Sequence, residues 1–70
     1  MNRQKVEKVA GIYGCEISLE NNEWVVYTRS NDLELAKMIQ VHFPKYGLVM
    51  SLLTDRDEYI VYTGIKSEGE

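Results

Sequence analysis

The residues able to do chemistry are few: one histidine, His42, one cysteine, Cys15, and two acidic clusters, Glu20 with Glu23 and Asp55 and Asp57 with Glu58. An imidazole acts as a general base only with a nucleophile or second titratable group within hydrogen-bond reach. His42 falls near the end of a predicted helix, where the helix dipole favours its cation. Cys15 alternates with polar residues along a predicted strand and points toward the core, where a thiol is inert. The acidic clusters fall at hairpin tips and carry the oxygen ligands that Ca²⁺ or Mg²⁺ takes. Neither has the ligand count or spacing of a known cation loop, so both read as solvated turns. There is no triad, no glycine-rich phosphate loop and no pair of carboxylates on one rigid face. The pattern therefore describes a non-enzyme, with no catalytic residue, no metal site and no cofactor.

Composition narrows the alternatives. Seventy residues form one domain, 1–70, with a formal net charge of −3 from 11 acids and 8 bases. That balance argues against non-specific nucleic-acid binding, which rests on many Lys and Arg contacts to phosphate. Arg3, Lys5 and Lys8 make one side of the first helix basic, which reads as a solvated face. A single cysteine excludes an internal disulfide and suits a reducing compartment. No apolar run approaches the roughly 20 residues of a membrane span, and Met1–Lys5 leads into none, so a cytoplasmic protein is expected. A chain this small buries only about 60% of its unfolded surface, so oligomerisation is the remaining support for its stability.

The elements that must position these residues are written twice. Tyr13-Gly14-Cys15-Glu16-Ile17-Ser18-Leu19 is echoed by Tyr46-Gly47-Leu48-Val49-Met50-Ser51-Leu52, and Glu23-Trp24-Val25-Val26-Tyr27-Thr28 by Glu58-Tyr59-Ile60-Val61-Tyr62-Thr63. Such self-similarity dictates architecture. Residues 2–10 predict a helix with the stripe Val6, Val9, Ala10, stopped by Gly11. Residues 12–20 predict a strand, Asn21-Asn22 a two-residue turn, and the following run a second strand with Leu19 opposite Trp24, Ile17 opposite Val26 and Cys15 opposite Thr28. Residues 31–43 predict a helix capped by Asn31 or Ser30, with the stripe Leu35, Ala36, Ile39, Phe43, ended by Pro44. Strands at 47–54 and 58–65 complete the pattern, joined by the loop Thr54-Asp55-Arg56-Asp57, with Leu52 opposite Tyr59 and Met50 opposite Val61. A polar tail, 66–70, follows.

The sum is an α+β fold: two tandem αββ repeats, about 2–29 and 31–65, giving a four-stranded antiparallel sheet with two helices on one face. The third strand, apolar on both sides, is expected at the centre beside the first. Ile17, Leu19, Trp24, Val26, Leu35, Ile39, Phe43, Met50, Leu52 and Val61 form the expected core. The opposite face then carries Val25, Tyr27, Val49, Leu53, Ile60 and Tyr62, beside Glu16, Ser18 and Ser51. A solvated face should be mostly polar, and an apolar, aromatic one marks an interaction site. These six residues are the expected contacts with a second copy or a partner protein, and a homodimer is expected.

In layout, and in the stretches Val9-Ala10-Gly11-Ile12 and Arg29 through Phe43, the chain resembles the LAGLIDADG homing endonucleases, whose core is an αββαββ arrangement. The resemblance implies the fold above and, as an alternative function, a DNA-binding relic. The family's metal-binding acid falls near the end of the first helix. Only Glu16 can fill that place, because Gly14 occupies the other acidic position of the motif, and the family's third helix is absent. The leading expectation is a small non-catalytic interaction protein, an inhibitor or adaptor of the kind phages and mobile elements encode, docking on a partner through the apolar sheet face.

Overall fold

A computed structural model describes residues 2–43 and 50–67. The first helix, α1, spans Asn2–Ile12 and buries Val6, Val9 and Ala10. Gly11 lies inside it; the stop is Gly14, at φ 68°. There the Cys15 N–H reaches back to the Ala10 carbonyl at 2.8 Å and the Gly14 N–H to Gly11 at 3.3 Å. This paired closure satisfies carbonyls that a helix end otherwise leaves orphaned, and its left-handed residue is normally glycine. Gly11 is therefore not the stop predicted from the sequence, and the first strand starts later than residue 12.

Strands β1, Glu16–Glu20, and β2, Glu23–Tyr27, meet across Asn21 and Asn22, both left-handed at φ 53° and 66°. Two successive positive φ angles define the hairpin turn whose twist matches its strands, and asparagine tolerates them. Ile17 stands opposite Val26 and Leu19 opposite Trp24. The second helix, α2, spans Leu33–Gln40. Its cap is Asp32, whose carboxylate accepts the Leu35 N–H at 3.1 Å. Asn31, expected to cap, donates instead to Asp57 at 2.9 Å. Strands β3, Met50–Leu53, and β4, Glu58–Lys66, form the second hairpin, with Met50 opposite Val61 and Leu52 opposite Tyr59. Pro44, Gly47 and the start of the third predicted strand lie outside the described residues. Lys66, expected in the polar tail, ends β4 in register with Glu23, and just beyond it the Ser67 N–H donates to the Asn22 carbonyl at 2.8 Å.

The sheet is antiparallel throughout, in the order β1-β2-β4-β3. The expectation that the first and third strands lie at the centre is thus overturned: the second and fourth do. The reason lies in their side chains. β2 and β4 carry Val25-Val26 and Ile60-Val61, adjacent β-branched residues that fill both faces at once. On β1 the residues of one face are Glu16, Ser18 and Glu20, as suits an edge. Between Glu23 and Val25 the β2–β4 register shifts. Gly64, at φ 78°, sits in this bulge and donates its N–H to the Glu23 carboxylate at 2.8 Å. The Thr63 hydroxyl donates to the Trp24 carbonyl at 2.6 Å, holding the ladder closed beside it.

The core gathers Val6, Val9 and Ala10 of α1, Ala36 and Ile39 of α2, Phe43, and the opposed pair Val26 and Val61. Ile17, Trp24, Leu35 and Met50 pack against it, half-buried. Leu19 and Leu52, expected inside, are 45% and 42% exposed. Both sit on edge strands next to the hairpin tips. α2 packs chiefly on β4, and α1 on β1, β2 and β4. The basic side of α1 is put to use: the Arg3 guanidinium lies 5.0 Å from the Trp24 ring centre and Lys5 Nζ 5.4 Å from that of Phe43. A cation over an aromatic ring contributes about 0.5–1 kcal/mol where the site is open to solvent.

A candidate docking face

The face of the sheet that carries Glu16, Ser18, Val25, Tyr27, Ile60 and Tyr62 is fixed by the registers. Val25 opposes Tyr62, Tyr27 opposes Ile60, Ser18 opposes Val25 and Ser51 opposes Ile60. Directly opposed residues point to the same side. The buried cluster formed with the helices contains none of them.

The six residues expected to make this surface divide into three groups. Val25 and Ile60 are buried, at 0% and 3% exposure, so they form the floor of the face and not its surface. Tyr27, Tyr62 and Leu53 are half-buried and present their remaining area outward. Val49 lies outside the described residues. Tyr27 donates its hydroxyl to Glu20 Oε2 at 2.7 Å, which ties the ring to the neighbouring strand near the Asn21–Asn22 turn. That hydrogen bond, then burial, then the carboxylate's charge raise the phenol's pKa above the ordinary tyrosine value, with Arg56 opposing.

Arg56 arrives from the β3–β4 tip. Its guanidinium lies 4.7 Å from the Tyr27 ring centre and its Nε 2.8 Å from Glu58 Oε2. The other carboxylate oxygen of Glu58, a buried residue, accepts the Arg29 backbone N–H at 2.9 Å. The Arg29 side chain in turn reaches Glu16 at 3.3 Å. The result is an aromatic centre over an apolar floor, ringed by carboxylates and guanidinium groups already paired with each other. Sequence reasoning missed Arg56 and Glu58 as parts of this face, because the loop that delivers them lies more than two dozen residues from Tyr27 and only the β2–β4 contact brings them together.

Most of the other candidates are engaged by partners within the chain. Glu20 is bound to Tyr27, Glu23 to the Gly64 N–H, Asp57 to Asn31 and Glu58 to Arg56, so the acidic tips are not turned toward a common centre. Among the described residues no group of three or more His, Cys, Asp and Glu side chains is placed to hold a metal ion. His42 Nε2 lies 3.2 Å from the Tyr13 hydroxyl, with the rings edge-on at 5.9 Å, which ties the end of α1 to the end of α2. Cys15 Sγ faces the carbonyls of Tyr13 and Thr28 at 3.6 and 3.9 Å. Burial raises its thiol pKa and the Arg29 charge partly offsets that. Such a thiol is a poor nucleophile at neutral pH. No described helix is long and apolar enough to cross a membrane. Compared with known proteins, the chain matches no family model, no curated protein and no solved structure.

Proposed function

We propose that the chain is a small, non-catalytic interaction protein that docks on a partner protein through the open face of its sheet. One observation carries the reading. Tyr27 and Tyr62 stand half-buried on a rigid β-branched floor, flanked by charged residues, on the side of the sheet away from the helix-packed core. An aromatic centre with a polar rim is the usual anatomy of a protein–protein contact. Tyrosine suits it, since the ring buries a large apolar area and the hydroxyl keeps a hydrogen bond. Val25 and Ile60 are already covered within the monomer, so the face does not need a second copy over it. Inhibitor and adaptor are the roles that fit a domain whose described residues form no reactive constellation. DNA binding draws no comparable support, because the guanidinium groups of Arg29 and Arg56 are held by Glu16 and Glu58.

The test is a comparison of two baits, wild type and Tyr62→Lys, in extracts of the source cells. Ile60→Asp is unsuitable, since a charge at that buried position unfolds the monomer. A protein held by wild type in both low and high salt, and lost from Tyr62→Lys, supports the proposal. Equal retention by both baits, or retention of nucleic acid that salt releases, overturns it.

A further inference from the structure

Two strands end the sheet, and they are guarded differently. β1 carries Glu16 and Glu20, one at each end, on its open-face side. β3, Met50-Ser51-Leu52-Leu53, has no charge, no proline and no register shift, and its Leu52 is 42% exposed. An edge strand presents unpaired N–H and C=O groups that template pairing with another chain, and proteins normally blunt it with charge, proline or a bulge. β3 is short, at four residues, but it carries none of these chemical devices, and among the described residues no strand lies against its outer side.

We propose that β3 is a homotypic edge: it pairs antiparallel with β3 of a second copy about a two-fold axis at Leu52, so that two four-stranded sheets continue as one of eight strands. Opposed residues in an antiparallel pair share a face. With Leu52 on the axis, it meets Leu52 of the second copy on the side where the helices leave it uncovered. Ser51 then meets Leu53 on the open face, and Met50 falls beside Thr54 at the start of the hairpin tip. No charge opposes a like charge anywhere along the junction. The same operation on β1 gathers four carboxylates, Glu16 and Glu20 from each copy, on one face. Centred at Ser18, it sets them directly opposite one another, which is destabilising. The Arg29 guanidinium beside each Glu16 offsets part of this repulsion, so charge disfavours β1 and leaves β3 the freer edge for a second copy. The arrangement covers the large apolar side chain that the monomer exposes on this edge, and binding to the folded form alone stabilises a small domain by mass action. It also leaves Tyr27 and Tyr62, on the inner strands, open, so each dimer presents two docking faces on one continuous sheet.

The experiment combines light scattering with cysteine cross-linking in a Cys15→Ser background. Wild type is expected to rise from 8.1 kDa to twice that mass as concentration increases. Tyr62→Lys should do the same, which keeps this proposal separate from the docking face. Leu52→Lys, with an unchanged circular dichroism spectrum, should stay at the monomer mass. Leu52→Cys is expected to form an intermolecular disulfide under mild oxidation, since opposed Cβ atoms lie about 4.5–5.5 Å apart and a disulfide needs only slightly less. Leu19→Cys, similarly exposed on the other edge, should not. A wild type that stays monomeric at every concentration, or Leu19→Cys cross-linking as fast as Leu52→Cys, overturns the proposal.

Discussion

Tyr27 shows how one side chain joins the apolar and polar layers of the open face. Its ring shares the face of the buried Val25 and Ile60, its hydroxyl is spent on Glu20, and Arg56 lies over the ring. Because the folded state raises its pKa above 10.0 and the unfolded chain does not, its contribution to stability is fully present below the ordinary tyrosine range. That contribution is lost as pH climbs through the folded value. Denaturant melts across alkaline pH should therefore show wild type losing more stability than Tyr27→Phe. A spectrophotometric titration of the variant should lack a phenol that ionises above the ordinary tyrosine range in the wild type. Near neutral pH, Tyr27→Phe should cost about 0.5–1.5 kcal/mol, the net worth of a typical hydrogen bond.

At the scale of elements, two glycines three residues apart in α1 and its stop carry opposite expectations. A Cβ on Gly11 meets nothing within 4 Å, and its backbone is helical. Gly11→Ala should therefore stabilise the chain by about 0.5–1 kcal/mol, the difference in backbone entropy within a helix. Gly14 also has room for a Cβ, yet its φ is 68°. Gly14→Ala should destabilise by about 1–2 kcal/mol, the cost of placing an L-residue in the left-handed region. Thermal melts of the two variants beside wild type measure both signs. Equal shifts would mean that the helix ends at Gly11 after all.

For the whole molecule, the decisive group is Phe43, just beyond α2. It is 3% exposed, belongs to the core cluster, and has Lys5 over its ring. Removing a buried phenyl group costs about 3–5 kcal/mol, against a total of roughly 0.05–0.15 kcal/mol per residue for a native domain. Phe43→Ala is expected to be largely unfolded at 25 °C, read as lost near-ultraviolet signal and amide protection. An unchanged melting midpoint would show that the helix-packed side of the sheet is not the structural core.

The local structure was legible in the sequence because it depends on neighbours along the chain. The two helices, both hairpins and their registers follow from 3.6- and 2-residue periodicities and from turn length: Asn21-Asn22 leaves Leu19 no partner but Trp24, and a four-residue tip sets Leu52 against Tyr59. What could not be read there was how the two hairpins meet. Either pair of inner strands satisfies the same local pattern, and only the simultaneous burial of Val25, Val26, Ile60 and Val61 on two faces selects β2 against β4. From that single contact follow the exposure of Leu19 and Leu52 at the edges, the Glu58–Arg29 link and the reach of Arg56 to Tyr27. These are long-range pairings whose energy appears only once the sheet is closed, so tertiary structure alone could decide them.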